Sequence, residues 1–257
     1  MGDTKEIVYS FSKLNSFDQC PHGWYLSYIE HSPQVNNAFS SYGTFIHELC
    51  EKYALGEYSL DSLADMYEWG FDEAVPEEFP PNKYTDLRQS YYDSGLKFLK
   101  SWQGYAGCKI LGVEEHFKID IEDIKFQGFI DISFIDLRGR YILRDYKSHK
   151  RYSKTELLTA QRQPYLYALY FYERYGRYPD ALQFYTFRNE ENRVVEIEFN
   201  ERDMNEAIRW AVDTAHRIEN EWAFEKRPDM WFCQQLCGHR EKCECGKKVY
   251  WNGKMRR

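Results

Sequence analysis

The chain has 257 residues, a formal net charge of −7, 43% hydrophobic residues and 18% aromatic ones, with 22 Tyr, 17 Phe and 7 Trp. That length buries a sizeable core as one large domain or two small ones. The acidic balance excludes binding of a polyanion through overall charge, so any nucleic-acid contact needs a local basic track. The chain's end offers one in Lys247, Lys248, Lys254, Arg256 and Arg257, for which a solvated tail is the plainer reading. The aromatic excess reads mainly as core, with stacking surface for bases as the functional alternative. No apolar run is long enough to span a bilayer, and no secretory signal precedes the first element, so a soluble cytoplasmic protein is expected. Seven cysteines cannot all pair internally, and in a reducing compartment a cluster of them reads as metal ligands.

A helix is expected near 12 to 30, started by Ser12 or Asn15, with Phe17, Tyr25, Leu26 and Ile29 apolar. A second, over 40 to 55, carries Tyr42, Phe45, Ile46, Leu49 and Tyr53 at helical spacing. A third carries Leu60, Leu63, Tyr67 and Phe71 and ends before Pro76. A fourth carries Leu87, Tyr91, Leu96, Leu99 and Trp102, with Pro80-Pro81-Asn82 as the loop between them. Residues 109 to 120, 125 to 136 and 140 to 147 are β-branched and aromatic with alternating charges. They read as three consecutive strands in a meander, with Gly139 in the last turn. A helix over 156 to 175, strands near 181 to 188 and 193 to 199, and a helix over 201 to 225 broken by Pro228 complete the regular part. No repeat or low-complexity linker is visible. The expectation is one α/β domain over 1–257: a helical part to about 108, a core over 109–226 and a cysteine-rich tail over 227–257.

The chemistry concentrates in Gly128-Phe-Ile-Asp131 and Asp145-Tyr-Lys147. Residues two apart on a strand share a face, so Asp145 and Lys147 point together, with Tyr146 opposite. Asp131 lies on the preceding strand, close across the ladder. Two neighbouring carboxylates repel unless a cation or a proton lies between them, and a lysine beside them can offset charge developing on a phosphate. This is equipment for metal-dependent phosphodiester cleavage; the alternative is a surface charge ladder. His47, four residues after Gly43 on the second helix, offers an imidazole ligand. Gln163 and Tyr167 share a helix face after the lysine and could hold it or grip a phosphate. Of Glu114 and Glu115, Glu114 is the preferred additional ligand, though both read as solvent-facing.

Taken in order, Gly43 to His47, Gly128-Phe-Ile-Asp131, Asp145-Tyr-Lys147 and Gln163 to Tyr167 resemble the PD-(D/E)XK nuclease superfamily, nearest its RecB-like branch. The resemblance implies a restriction-endonuclease-type core, a central mixed sheet flanked by helices. It implies Mg²⁺ or Mn²⁺ held by His47, Asp131, Asp145 and the Tyr146 carbonyl. Lys147 would orient or activate water, and Gln163 and Tyr167 would support the site and the DNA. The opening Ser12 to Pro21 and the late Cys233, Cys237 and Cys243 also resemble the iron–sulfur arrangement of AddB-type proteins and of free-standing CRISPR-associated and phage exonucleases. That implies a [4Fe–4S] cluster on Cys20, Cys233, Cys237 and Cys243, with zinc as the alternative. The spacing departs from the usual pattern, with three residues between the first two late cysteines, and Cys245 and His239 lie nearby. Cys50 and Cys108 read as ordinary core or surface residues. The implied activity is exonucleolytic cleavage of single-stranded or frayed DNA, 5′ to 3′ favoured. Endonuclease action and a non-catalytic binding module are the alternatives. A homo-oligomer and recombination or CRISPR-adaptation partners would be in keeping with the same relatives.

Overall fold

A computed structural model describes residues 7–191 and 193–247, together with the backbone of 250–251 and 254–255. The basic run at the end therefore lies outside the described residues except for Lys247 and the backbone of Lys254.

The chain begins with a two-residue strand, β1 (Val8–Tyr9), and two short helices, α1 (Phe11–Gln19) and α2 (Pro21–Tyr28). The single helix expected over 12 to 30 is thus two. Proline disfavours the α conformation in the residue before it, and Cys20 is extended at φ −159° and ψ 103°. Ser10, rather than Ser12 or Asn15, caps α1 by accepting from Lys13 N. The helices α3 (Ala38–Ala54), α4 (Leu63–Ala74) and α5 (Leu87–Ser101) follow much as their periodicity predicts. Asn37 caps α3 with a reciprocal Ser40 bond.

The meander is β2 (Lys109–Ile121), β3 (Ile124–Ile135) and β4 (Tyr141–Lys147), antiparallel throughout. Gly139 turns the last hairpin at φ +76°. The next helix is again two, α6 (Lys154–Ala160) and α7 (Arg162–Tyr175). Pro164 brings no N–H to the first turn of α7, so Ala160 ends one helix and a second begins. These helices carry the chain across to β5 (Ala181–Thr186), which pairs parallel with β4, as a parallel pair requires. The strand β6 (Val194–Ile197) pairs antiparallel with β5. The helix α8 (Glu201–Glu219) stops at Asn220, whose side chain bonds the His216 carbonyl, well short of the expected end at 225. A short α9 (Glu244–Lys247) and the backbone hairpin β7 (Tyr250–Trp251) and β8 (Lys254–Met255) close the chain.

The main sheet runs β2-β3-β4-β5-β6, with β1 beside the early part of β3. One face buries Leu14, Phe126, Leu166, Phe171 and Ala211, from α1, β3, α7 and α8. The other buries Ile46, Tyr67, Phe98, Phe134 and Tyr146, from α3, α4, α5, β3 and β4. This is a mixed sheet flanked by helices on both faces, with a helical N-terminal part. It sets α3 of one layer and α7 of the other against the ends of β3 and β4.

Candidate active site

The strands β3 and β4 pair from Ile135 and Tyr141 to Ile132 and Arg144, and the ladder then stops. Beyond that point β4 continues along β5 alone, with Asp145 opposite Phe184 and Lys147 opposite Thr186. The Tyr146 N–H, freed from the β3 ladder, donates instead to Asp131 Oδ2 at 2.7 Å. The acid that follows the GFI sequence is therefore fixed by the neighbouring strand's backbone. On the other side of β3, Glu114 falls between the pairs Val113–Ile132 and Glu115–Ile130. Its backbone is left-handed at φ +44°, unusual for a side chain of this size. Adjacent strand residues face opposite ways, so the two glutamates part. Glu115 accepts from the Tyr170 hydroxyl at 2.7 Å, while Glu114 enters the pocket.

The pocket is lined by His47, Glu114, Asp131, Asp145, Tyr146, Lys147 and Gln163, with Gly43 and Ser148 at its edge. Ligand atoms of His47, Glu114 and Asp131 all lie within 4.8 Å of one another. Asp145 stands just outside that trio, its Oδ2 paired with Lys147 Nζ at 2.7 Å. Lys147 also donates to Gln163 Oε1 at 3.0 Å, and Gln163 Nε2 donates to the Tyr167 hydroxyl at 3.2 Å. The helix α7 thus holds the lysine in the way its i and i+4 spacing suggests. Tyr146 points to the opposite core, where its hydroxyl meets that of Tyr105.

His47 tests whether these groups suit a cation. Its Nε2 lies 2.8 Å from the Tyr146 carbonyl and its Nδ1 3.5 Å from Asp131 Oδ2. Both neighbours are acceptors, and a neutral imidazole has one N–H, so either tautomer leaves a lone pair facing an oxygen. Protonation is opposed because burial lowers the His47 pKa. The acids show the same conflict. Burial and then the Asp145 charge push the Asp131 carboxyl well above the usual carboxylate range. Burial and then Asp131 raise Glu114 to about 7. A divalent cation among oxygens and one imidazole would relieve all three at once, so the residues fit such an ion.

Two features support the site, one at a motif glycine and one outside the motifs. A Cβ on Gly128 would come within 2.8 Å of the Phe117 and Tyr167 rings, so glycine here lets Tyr167 pack onto β3 beside the acids. On Gly43 a Cβ would make only ordinary contact with Ser148 at 3.5 Å. The other feature is the Tyr105–Tyr146 pair with Arg144 over the Tyr105 ring, which packs β4 against the helical layer. Neither Tyr105 nor Arg144 carries a sequence signal of its own.

Five of the seven cysteines gather around a separate cavity. Cys20, Cys233, Cys237, Cys243 and Cys245 line one small cavity with His22 and His239. Burial raises the Cys233 and Cys237 thiols, and the charges of Cys20 and Cys243 add to this. The His239 ring bonds Ser27 at 2.8 Å. Cys50 is fully buried in the helical core, as a small apolar residue would be.

Solved structures with some likeness to this chain include a candidate exonuclease from Eubacterium rectale, at 12% identity and a TM-score of 0.49, covering 95% of this chain and 90% of that one. Another is the protein SSO0001, at 18% identity and a TM-score of 0.36, covering 79% and 96%. Among curated sequences, the gene 69 protein of Mycobacterium phage D29 is 26% identical over 176 residues. That match covers 58% of this chain and 65% of the phage protein, less than two thirds of its length. The family model of the PD-(D/E)XK nucleases matches residues 8–244, which takes in both strands of the acidic pocket, the helices that serve them and all of the cysteine cavity but Cys245 and Gly246, and the chain belongs to the PD-(D/E)XK nuclease superfamily.

Proposed function

We propose that this protein is a divalent-metal-dependent deoxyribonuclease that hydrolyses phosphodiester bonds. The observation that carries the reading is the lysine. Lys147 Nζ sits between Asp145 Oδ2 and Gln163 Oε1, at the edge of a pocket whose other wall is His47, Glu114 and Asp131. His47, Asp131, Asp145, Glu114 and the Tyr146 carbonyl would hold Mg²⁺ or Mn²⁺. The ion would supply Lewis acidity toward a phosphoryl oxygen and lower the pKa of a water. The chain's own groups do the rest. Asp131 is held by the Tyr146 N–H, so its carboxylate keeps one orientation. The Lys147 ammonium offsets the charge that builds on the phosphate oxygens as the bond breaks. Gln163, steadied by Tyr167, keeps that ammonium aimed into the pocket.

The finer reading is an exonuclease acting on single-stranded or frayed ends, 5′ to 3′, within one domain whose tail serves as a clasp. It rests on the resemblance of the motifs and cysteines to free-standing AddB-like nucleases. Cys20, Cys233, Cys237 and Cys243 would carry a structural [4Fe–4S] cluster. A tetrahedral zinc on the same thiolates is the alternative, and the resemblance favours the cluster. Iron and acid-labile sulfide analysis of anaerobically purified protein tests it; zinc without iron would overturn it.

The main test is digestion of end-labelled single- and double-stranded DNA, linear and circular, with Mg²⁺ or Mn²⁺. Release of nucleotides from linear substrates only is the expected result. Cutting of circles would make it an endonuclease, and no cleavage by metal-loaded protein would leave a binding module.

A further inference from the structure

An aromatic step borders the acidic pocket. Phe39, in the first turn of α3, lines that pocket together with His47, Asp131 and Lys147. Its ring centroid is 5.3 Å from that of Tyr91 and 6.1 Å from that of Trp231. Trp231 comes from the cysteine-rich tail and is 56% exposed. An indole left that open at the rim of a charged pocket contributes little to the core.

The tail is fastened at this point to the segment that leads into α3. Val35 N donates to the Gly238 carbonyl at 2.9 Å, and Asn37 Nδ2 donates to the Leu236 carbonyl at 3.2 Å. The two rings therefore come from segments far apart in the chain, held near each other by one backbone bond and one side-chain bond.

Positive charge lies beside the step. The Arg188 guanidinium covers the Tyr91 ring at 3.5 Å. Its Nε is buried and has no hydrogen-bond partner among the described residues. Arg188 and Lys150 border a groove next to the Ser148-His149 edge of the pocket. Four carboxylates line the same groove: Glu190 pairs with Lys97, Glu191 with Arg151, Asp86 caps α5 and Asp93 accepts from Gln89.

We propose that Phe39 and Trp231 form a stacking platform for an unpaired base of the substrate, with the adjoining phosphates running past Arg188 and Lys150. This deepens the nuclease reading and rests on it. The occupant is a single strand, because an exposed indole next to a partly exposed phenyl ring, with Arg188 and Lys150 nearby, matches an unpaired base and its phosphates. Bases within a duplex are stacked on one another and offer no free face. The tail then acts on the substrate as well as holding the chain's ends.

The test is fluorescence anisotropy of a labelled oligothymidylate and of the same oligomer with abasic sites, in EDTA so that nothing is cleaved. Trp231→Ala should weaken binding of the oligothymidylate by about 5- to 100-fold, the worth of one stacked base. It should leave the abasic oligomer within about twofold of the wild-type value. Trp231→Phe should restore most of the loss, which separates stacking from misfolding. An equal loss on both oligomers, or no loss on either, would overturn the platform. Wild-type digestion with Mg²⁺ runs alongside. If the wild type cleaves DNA and Trp231→Ala fails to discriminate, only the platform falls; if the wild type neither binds nor cleaves DNA, the nuclease reading falls with it.

Discussion

The acidic pocket and the cysteine cavity both gather side chains suited to metals, yet they are built on different foundations. The pocket stands on β3, β4, α3 and α7, elements buried on both faces of the sheet. Most of its groups are aimed by partners that exist without any ion: Tyr146 N–H for Asp131, the Tyr146 carbonyl for His47, Lys147 for Asp145 and Gln163 for Lys147. The cavity is formed by Cys20, at a break between two short helices, and by an irregular tail. Single bonds to the N-terminal part, such as His239 to Ser27, Lys242 to Ser32 and Arg240 to Val35, hold that tail in place of packed sheet and helix. A site on a rigid scaffold is available for chemistry because its ion can leave and return. A site on irregular chain depends on its occupant for shape.

The comparison can be broken most sharply at the cavity. Cys233→Ser should lower unfolding stability by roughly 4 kcal/mol or more, the scale of losing a structural metal. Denaturant titration would read this, and a change below about 1 kcal/mol would mean that the tail does not depend on its cysteines. The pocket should behave in the opposite way. Asp131→Asn keeps an acceptor for Tyr146 N–H but removes a crowded, buried charge. Cleavage should fall by about 10²- to 10³-fold, with the melting midpoint unchanged or raised. A lowered midpoint would put Asp131 in a structural role. Gly128→Ala should fall between the two, costing about 1–3 kcal/mol by overpacking against Phe117 and Tyr167. It should also slow cleavage, because Tyr167 steadies Gln163. Asn37→Ala gives the smallest effect, about 1 kcal/mol for a lost N-cap. Since Asn37 also bonds the tail, proteolysis of the 230–247 region should accelerate in this variant.

The meander was readable because its strands carry β-branched and aromatic residues within a residue or two of their observed ends. The alignment of Asp145 with Lys147, and of Gln163 with Tyr167, followed from periods of two and of about four. What escaped depended on contacts distant in sequence. A two-residue strand such as Val8–Tyr9 has no period to detect, and only its pairing with Lys125 and Phe126 defines it. Tyr105 and Trp231 carry no local pattern, and their roles appear only when remote segments meet. The helices were overrun at Cys20, at Gln161 and at Asn220. There a proline's missing N–H, or a side chain turned back on the last carbonyls, ended a pattern that hydropathy continued.

The early end of the β3–β4 ladder has one more consequence. Because the Tyr146 amide donates to a side-chain carboxylate instead of a strand carbonyl, its proton senses the charge on Asp131 directly. In an ¹⁵N-labelled sample that single resonance would shift as the pocket takes up or releases a cation, and its exchange with deuterium would track how often Asp131 lets go. The same departure from regular pairing that opens room for the acids thus installs a native reporter on their occupancy, readable without substrate and without a mutation.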